Sequence, residues 1–363
     1  MEPSGADIPA PPAPAPPPNP PAPEYQDRST GLLVFGILEI AGGALAALAI
    51  PLMLLSAVLA RKAVGGGMPL RSLALSFLTY AFLAVLLITL GIGATQARRW
   101  AWALNLIVSW IWLITGVLIT ILLVVILPSG VLAGMRGAAV QNPNAPPVPA
   151  GFMAVIVTFM IVVAAVFLIV LPLAFLLFYR SKNVEQTCKH RDPVARWTDR
   201  RPLPVLALAL LAASSAAYYL LLSFTTPLFP FFGRYVTGLP GTAAFLVFAV
   251  VDAYIAFAFF RLQVAGWWVA LVALLVRITS SALTVGRGNL MEAYSRMGWS
   301  HQQLEIMSRN PMFRGNAILW WSVMFMVLYL GFLLWLKRYF RAPAPPSYTG
   351  FSDSLPNQMQ PGS

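Results

Sequence analysis

The segment RSKNVEQTCKHRDPVARWTDRR, residues 180–201, is the one long polar run between two strongly apolar halves of the chain. It holds the single cysteine, Cys188, and seven basic residues: Arg180, Lys182, Lys189, Arg191, Arg196, Arg200 and Arg201. Four apolar stretches precede it and four follow, so its reading decides the fold. About 22 residues cannot enclose a core of their own. The run is therefore read as a basic hinge, residues 180–202, between two membrane halves.

Composition supports a lipid environment on either side of that hinge. Of 363 residues, 59% are hydrophobic and 10% charged, and the mean hydropathy is +0.76; soluble domains carry roughly 25% charged residues. A bilayer crossing needs about 20 apolar residues. Eight stretches meet that need: 31–60, 70–96, 100–127, 151–179, 203–224, 241–261, 265–285 and 317–339. The expected fold is an all-α integral membrane protein with eight transmembrane helices, four in residues 31–179 and four in 203–340.

The termini have a different character. Residues 1–30 contain eleven prolines and read as an extended, disordered Pro/Ala-rich tail. They lack the basic start and apolar centre of a signal peptide, so the first span is expected to act as its own insertion signal. Residues 341–363 read as a second disordered tail.

The formal charge of +12 fits orientation in a membrane rather than nucleic-acid binding, because no basic cluster lies among exposed aromatics on a soluble domain. Distributing the Lys and Arg residues over alternating loops puts fourteen on the hinge side and nine on the far side, with Arg277 inside a span. The positive-inside rule then places both termini and the hinge in the cytoplasm, with the spans in a plasma or inner membrane. A lone cysteine there stays reduced. The seven hinge cations would meet anionic lipid, each contributing about 1 kcal/mol near the surface.

The halves resemble one another. A shift of 167 residues superposes Gln96, Trp100, Ala103 and Leu104 on Gln263, Trp267, Ala270 and Leu271, and a shift of 171 superposes Gly42-Gly43-Ala44 on Ala213-Ser214-Ser215. Four spans per half would give tandem copies of the same orientation. The long connections differ. Residues 129–150 read as a flexible link, whereas 289–310 carry capping signals for two short interfacial helices. Thr198 and Asp199, ahead of Pro202 and Pro204, read as the start of the fifth span.

Only Glu39, Asp252 and Arg277 place charge well inside spans. Each needs a partner or water, since a charge near the bilayer centre costs at least ~2.5–3.5 kcal/mol. A very short turn joins spans 6 and 7, so Asp252 and Arg277 are expected to meet. Were span 1 to pack beside them, Glu39 would be a second acid on the same cation. At the repeat registers the three positions face Leu210, Val85 and Trp110, so the charges are not duplicated.

No metal-ligand spacing, phosphate loop, nucleophile motif or cofactor signature is present. The expected function is a non-catalytic membrane scaffold or accessory protein. The alternative is a transporter or permease-like protein with a polar site at Asp252 and Arg277.

Overall fold

The computed structural model describes residues 25–64, 70–141, 149–225, 228–287, 290–296, 304–305, 308 and 317–340. Most of both expected tails, and most of the second expected interfacial helix, lie outside these residues. The elements are α1 (Ser29–Val64), α2 (Leu70–Thr95), α3 (Arg99–Gln141), α4 (Ala150–Ala165), a π turn (Val166–Val170), α5 (Leu171–Tyr179), α6 (Lys182–Arg191) and a 3-10 turn (Trp197–Arg200). There follow α7 (Leu203–Thr225), strands β1 (Phe229–Phe231) and β2 (Arg234–Val236), α8 (Gly238–Phe260), α9 (Val264–Arg287), α10 (Leu290–Arg296), α11 (Ala317–Leu336) and a closing 3-10 turn (Lys337–Phe340).

Among the described residues, seven helical segments are long and apolar enough to cross a membrane: 29–59, 73–95, 99–125, 151–179, 203–225, 238–260 and 264–284. The apolar helix α11 follows them. Most large apolar side chains on these helices face outward, as lipid-facing side chains do. The all-α class holds, with one short hairpin in which β1 and β2 pair antiparallel. Two expectations are corrected. Residues 129–141 are not a flexible link, because α3 continues through Pro128 to Gln141. Asp199 does not begin α7; its carboxylate accepts the Arg196 N–H (2.8 Å) and closes the 3-10 turn, while α7 starts on the Pro202 carbonyl.

Glycine decides how closely α1 and α2 approach. A Cβ on Gly36 would stand 2.8 Å from the Gly91 carbonyl oxygen, and one on Gly91 would stand 2.6 Å from that of Gly36. The two backbones touch where no side chain intervenes. On α3, Gly116 likewise abuts the Leu168 carbonyl in the π turn. Pro172 has no N–H to give that carbonyl, which is why the helix widens there.

The turns into α3 and α9 are the same turn. Ala97 (φ 52°) and Leu262 (φ 56°) adopt the left-handed conformation. Arg98 N–H donates to the Gly93 carbonyl and Gln263 N–H to that of Ala258, both at 2.9 Å, closing the helices in the same way. Five residues beyond each left-handed residue, an indole N–H reaches the last long helix of its half: Trp102 donates to the Tyr179 carbonyl (2.9 Å) and Trp267 to that of Leu333 (2.8 Å). Gly93 admits Ala101 in the first half and Gly266 admits Ala258 in the second, the same contact with the small residue exchanged. These matches share a shift of 165 residues, and Gln96 precedes its left-handed residue whereas Gln263 follows its own.

The hinge is folded. Arg28 N–H donates to Thr187 Oγ1 (3.0 Å), and Arg191 pairs with Asp27 (3.1 Å), tying the start of α1 to α6. Asp192 accepts the Arg99 N–H (3.3 Å) at the start of α3, where a carboxylate is favoured by the helix dipole. Arg196 grips the same carboxylate through Nε (3.1 Å) and Nη2 (2.8 Å). These contacts, led by the Arg196 side chain, hold the Asp192 pKa below the usual carboxylate range. Cys188 is buried, and burial first, then the Asp192 charge, pushes its thiol up to about 12.

Candidate functional site

Two buried polar clusters lie inside the helices, one in each half. In the second half, Arg277 of α9 reaches Asp252 of α8, with Nη2 2.5 Å from Oδ1. Ser215 of α7 donates its hydroxyl to the other carboxylate oxygen at 2.6 Å. The guanidinium also lies over the rings of Phe248 (4.7 Å) and Tyr219 (5.1 Å). A cation over two aromatic faces gains electrostatic attraction that strengthens out of water. Its Nε is buried with no hydrogen-bond partner among the described residues, so the ring faces carry part of that group's solvation. The pairing expected from the short turn is present, and Ser215 is the member the sequence did not suggest.

In the first half, Glu39 of α1 is buried beside Asn105 of α3 and Tyr179 of α5. The Tyr179 hydroxyl donates to one carboxyl oxygen of Glu39 (2.9 Å), and Asn105 Nδ2 donates to the other (3.1 Å). Asn105 also reaches the Tyr179 oxygen at 3.1 Å, which closes a triangle. Ser109, four residues on, donates to the Asn105 carbonyl at 2.6 Å. Neutral donors hold this carboxyl group.

Glu39 does not join Asp252 and Arg277, so the condition for a second acid on that cation, span 1 packed beside spans 6 and 7, is not met. Helix α1 packs on α2 and touches α6, while α8 packs on α7 and α9. The Glu39 Cβ lies against α2, 3.0 Å from where a Cβ on Gly91 would stand, while its carboxyl group meets α3 and α5. Nothing local in the sequence marks Tyr179 and Asn105 as partners of Glu39, because they come from α5 and α3 and meet it only when those helices pack together.

The seven hinge cations divide. Lys189 pairs with Glu185, Arg191 with Asp27 and Arg196 with Asp192, and Arg201 donates to the Phe260 carbonyl. Arg180, Lys182 and Arg200 are exposed. A concave groove between α8 and α9 is lined by apolar side chains, among them Phe248, Val251, Trp268 and Val272, and neither Asp252 nor Arg277 lines it.

Fold and clusters together define a polytopic α-helical membrane protein with two separate polar clusters between its helices, one around Glu39 and one around Asp252. Compared with protein-family models, curated proteins and solved structures, the chain matches none.

Proposed function

We propose that the chain is a non-catalytic membrane scaffold or accessory protein whose intramembrane polar groups hold helices in place. The observation that carries this reading is the closure of Asp252. Both of its oxygens are taken, by Arg277 and Ser215, and the nearby groove is apolar. A substrate binding at Asp252 would have to displace Arg277 or Ser215.

The same reading takes the chain as two tandem four-helix halves of one orientation. It makes α11 the eighth span, since a helix of 20 predominantly apolar residues is long enough to cross. Supporting the duplication are the matched turns at Ala97 and Leu262 and the matched indoles of Trp102 and Trp267. The positive-inside rule puts both termini and the hinge in the cytoplasm, with Arg180, Lys182 and Arg200 free to meet anionic lipid of a plasma or inner membrane.

The test is a thermal-shift screen of ions and small polar solutes on purified protein. No solute is expected to stabilise the wild type while failing to stabilise Asp252→Asn. A solute that does so, and still stabilises a variant equally weakened elsewhere, makes the pair a substrate site and installs transport in place of this reading.

A further inference from the structure

We propose that the groove between α8 and α9 receives α1 of a second copy of this chain. The inference rests on the scaffold and tandem-half reading, for which it names the partner.

Its ground is an interface the chain already contains. Helix α7, which opens the second half, packs on α2 and α3 of the first. At the 165-residue register, α8 and α9 are the counterparts of α2 and α3. Their corresponding face is open. Trp268 is 51% exposed where its counterpart Ala103 is 1%, and Val272 is 57% exposed where Ile107 is 5%. Helices α2 and α5, which also pack on α3, have counterparts in α8 and α11. Helix α3 also carries α4, the π turn, the folded hinge and α7, whereas α9 carries the closing 3-10 turn and the β1–β2 pair, with no helix in the place of α7 among the described residues.

The open face is also shaped. Phe248 and Val251 of α8 and Trp268, Val272, Ala273 and Val276 of α9 surround a concavity of about 380 Å³. Between apolar helices in lipid, close packing rather than water exclusion drives association, so a preformed concavity is what a helix needs.

The occupant follows from the order of the halves. Helix α1 opens the first half as α7 opens the second. Its outer side is apolar and uncovered, with Val34, Ile37, Leu38, Leu45 and Leu48 all exposed. Every copy thus carries one open groove and one uncovered first helix. Repeating the internal α7-on-α2/α3 packing between copies joins them head to tail, a heterologous contact that closes a ring or continues.

The test uses two tagged versions of the full chain co-expressed in membranes, one with Leu38→Cys and the other with Val272→Cys. At about 1.5 Å rise per residue these positions lie at similar depth from the hinge side. The native Cys188 is buried, so the wild type is the silent background. Oxidation with copper phenanthroline should yield a mixed-tag dimer at least tenfold above that formed when either variant is paired with wild type. Leu177→Cys, on the exposed side of α5, should give no such product with Val272→Cys. A Val272→Cys self-dimer without the mixed product would overturn the inference in favour of a two-fold contact. No product, with both thiols reactive towards a membrane-permeant maleimide, would overturn it in favour of lipid in the groove. Either failure leaves the solute screen unaffected, and a positive solute screen leaves the cross-link unaffected, so the two ideas fall separately.

Discussion

The two buried clusters solve one problem in different ways. Asp252 meets a cation that is itself spread over two aromatic faces, whereas Glu39 meets a phenol and an amide. An ion pair in a low-dielectric interior is costly to assemble, and breaking it is worse, because the surviving charge is left alone. A carboxyl group among neutral donors loses only one hydrogen bond when one donor is removed. Loss of either member of the ion pair should therefore cost more than loss of one neutral donor to Glu39, and loss of the neutral donor to Asp252, which keeps its cation, should cost least.

The largest expected effect is at the pair. Asp252→Ala should destabilise the folded protein by about 3–5 kcal/mol, since it leaves Arg277 buried without its counter-charge. Arg277 is partly exposed, which favours the lower end. The neutral double variant Asp252→Asn/Arg277→Gln should recover part of the loss in detergent unfolding experiments. A double variant that is simply the sum of the singles would deny the coupling.

Next comes the close contact of α1 on α2. Gly91→Ala forces a methyl group against the Gly36 carbonyl, and overpacking of this kind costs about 1–3 kcal/mol. Gly331→Ala, where a Cβ meets nothing within 4 Å, should be nearly silent in the same thermal assay. Equal effects from the two would remove the close α1–α2 approach as the cause.

Tyr179→Phe should cost about 1–3 kcal/mol by leaving one Glu39 oxygen without its donor. Ser215→Ala should cost less, about 0.5–1.5 kcal/mol, because Asp252 keeps Arg277. The reverse order would contradict the contrast between the clusters.

The smallest expected effect lies in the hinge and depends on pH. Asp192 has a lowered pKa in the folded state, so the folded chain binds its proton less readily than the unfolded chain. Its contribution is complete above the ordinary value of about 4 and is lost as pH falls through the folded value. Unfolding midpoints of wild type and Asp192→Asn should converge on acidification below about pH 4. Curves that stay parallel there would show that Asp192 does not stabilise the hinge.

Much of this was legible in the residues. Apolar runs long enough to span mark the helices without reference to their neighbours, because lipid demands that each satisfy its backbone internally. The Asp252–Arg277 pair was legible too, since a three-residue turn makes α8 and α9 neighbours and both charges lie at similar depth. Glu39 was legible only as a charge in want of a partner.

Its partners come from α3 and α5, 66 and 140 residues away, and no local pattern specifies which helix faces lie opposite. The β1–β2 hairpin escaped for a related reason. Its turn is held by Ser280 and Thr284 of α9, which accept the N–H groups of Phe232 and Gly233. The hinge folds because α1 and α3 lend it donors, which a short polar run cannot supply alone. The chain by itself thus determined what must cross the membrane and which charges must be answered there. Tertiary structure decided who answers them, because helices of one apolar alphabet distinguish their neighbours only by the fit of small residues and by the few polar groups that come to face each other.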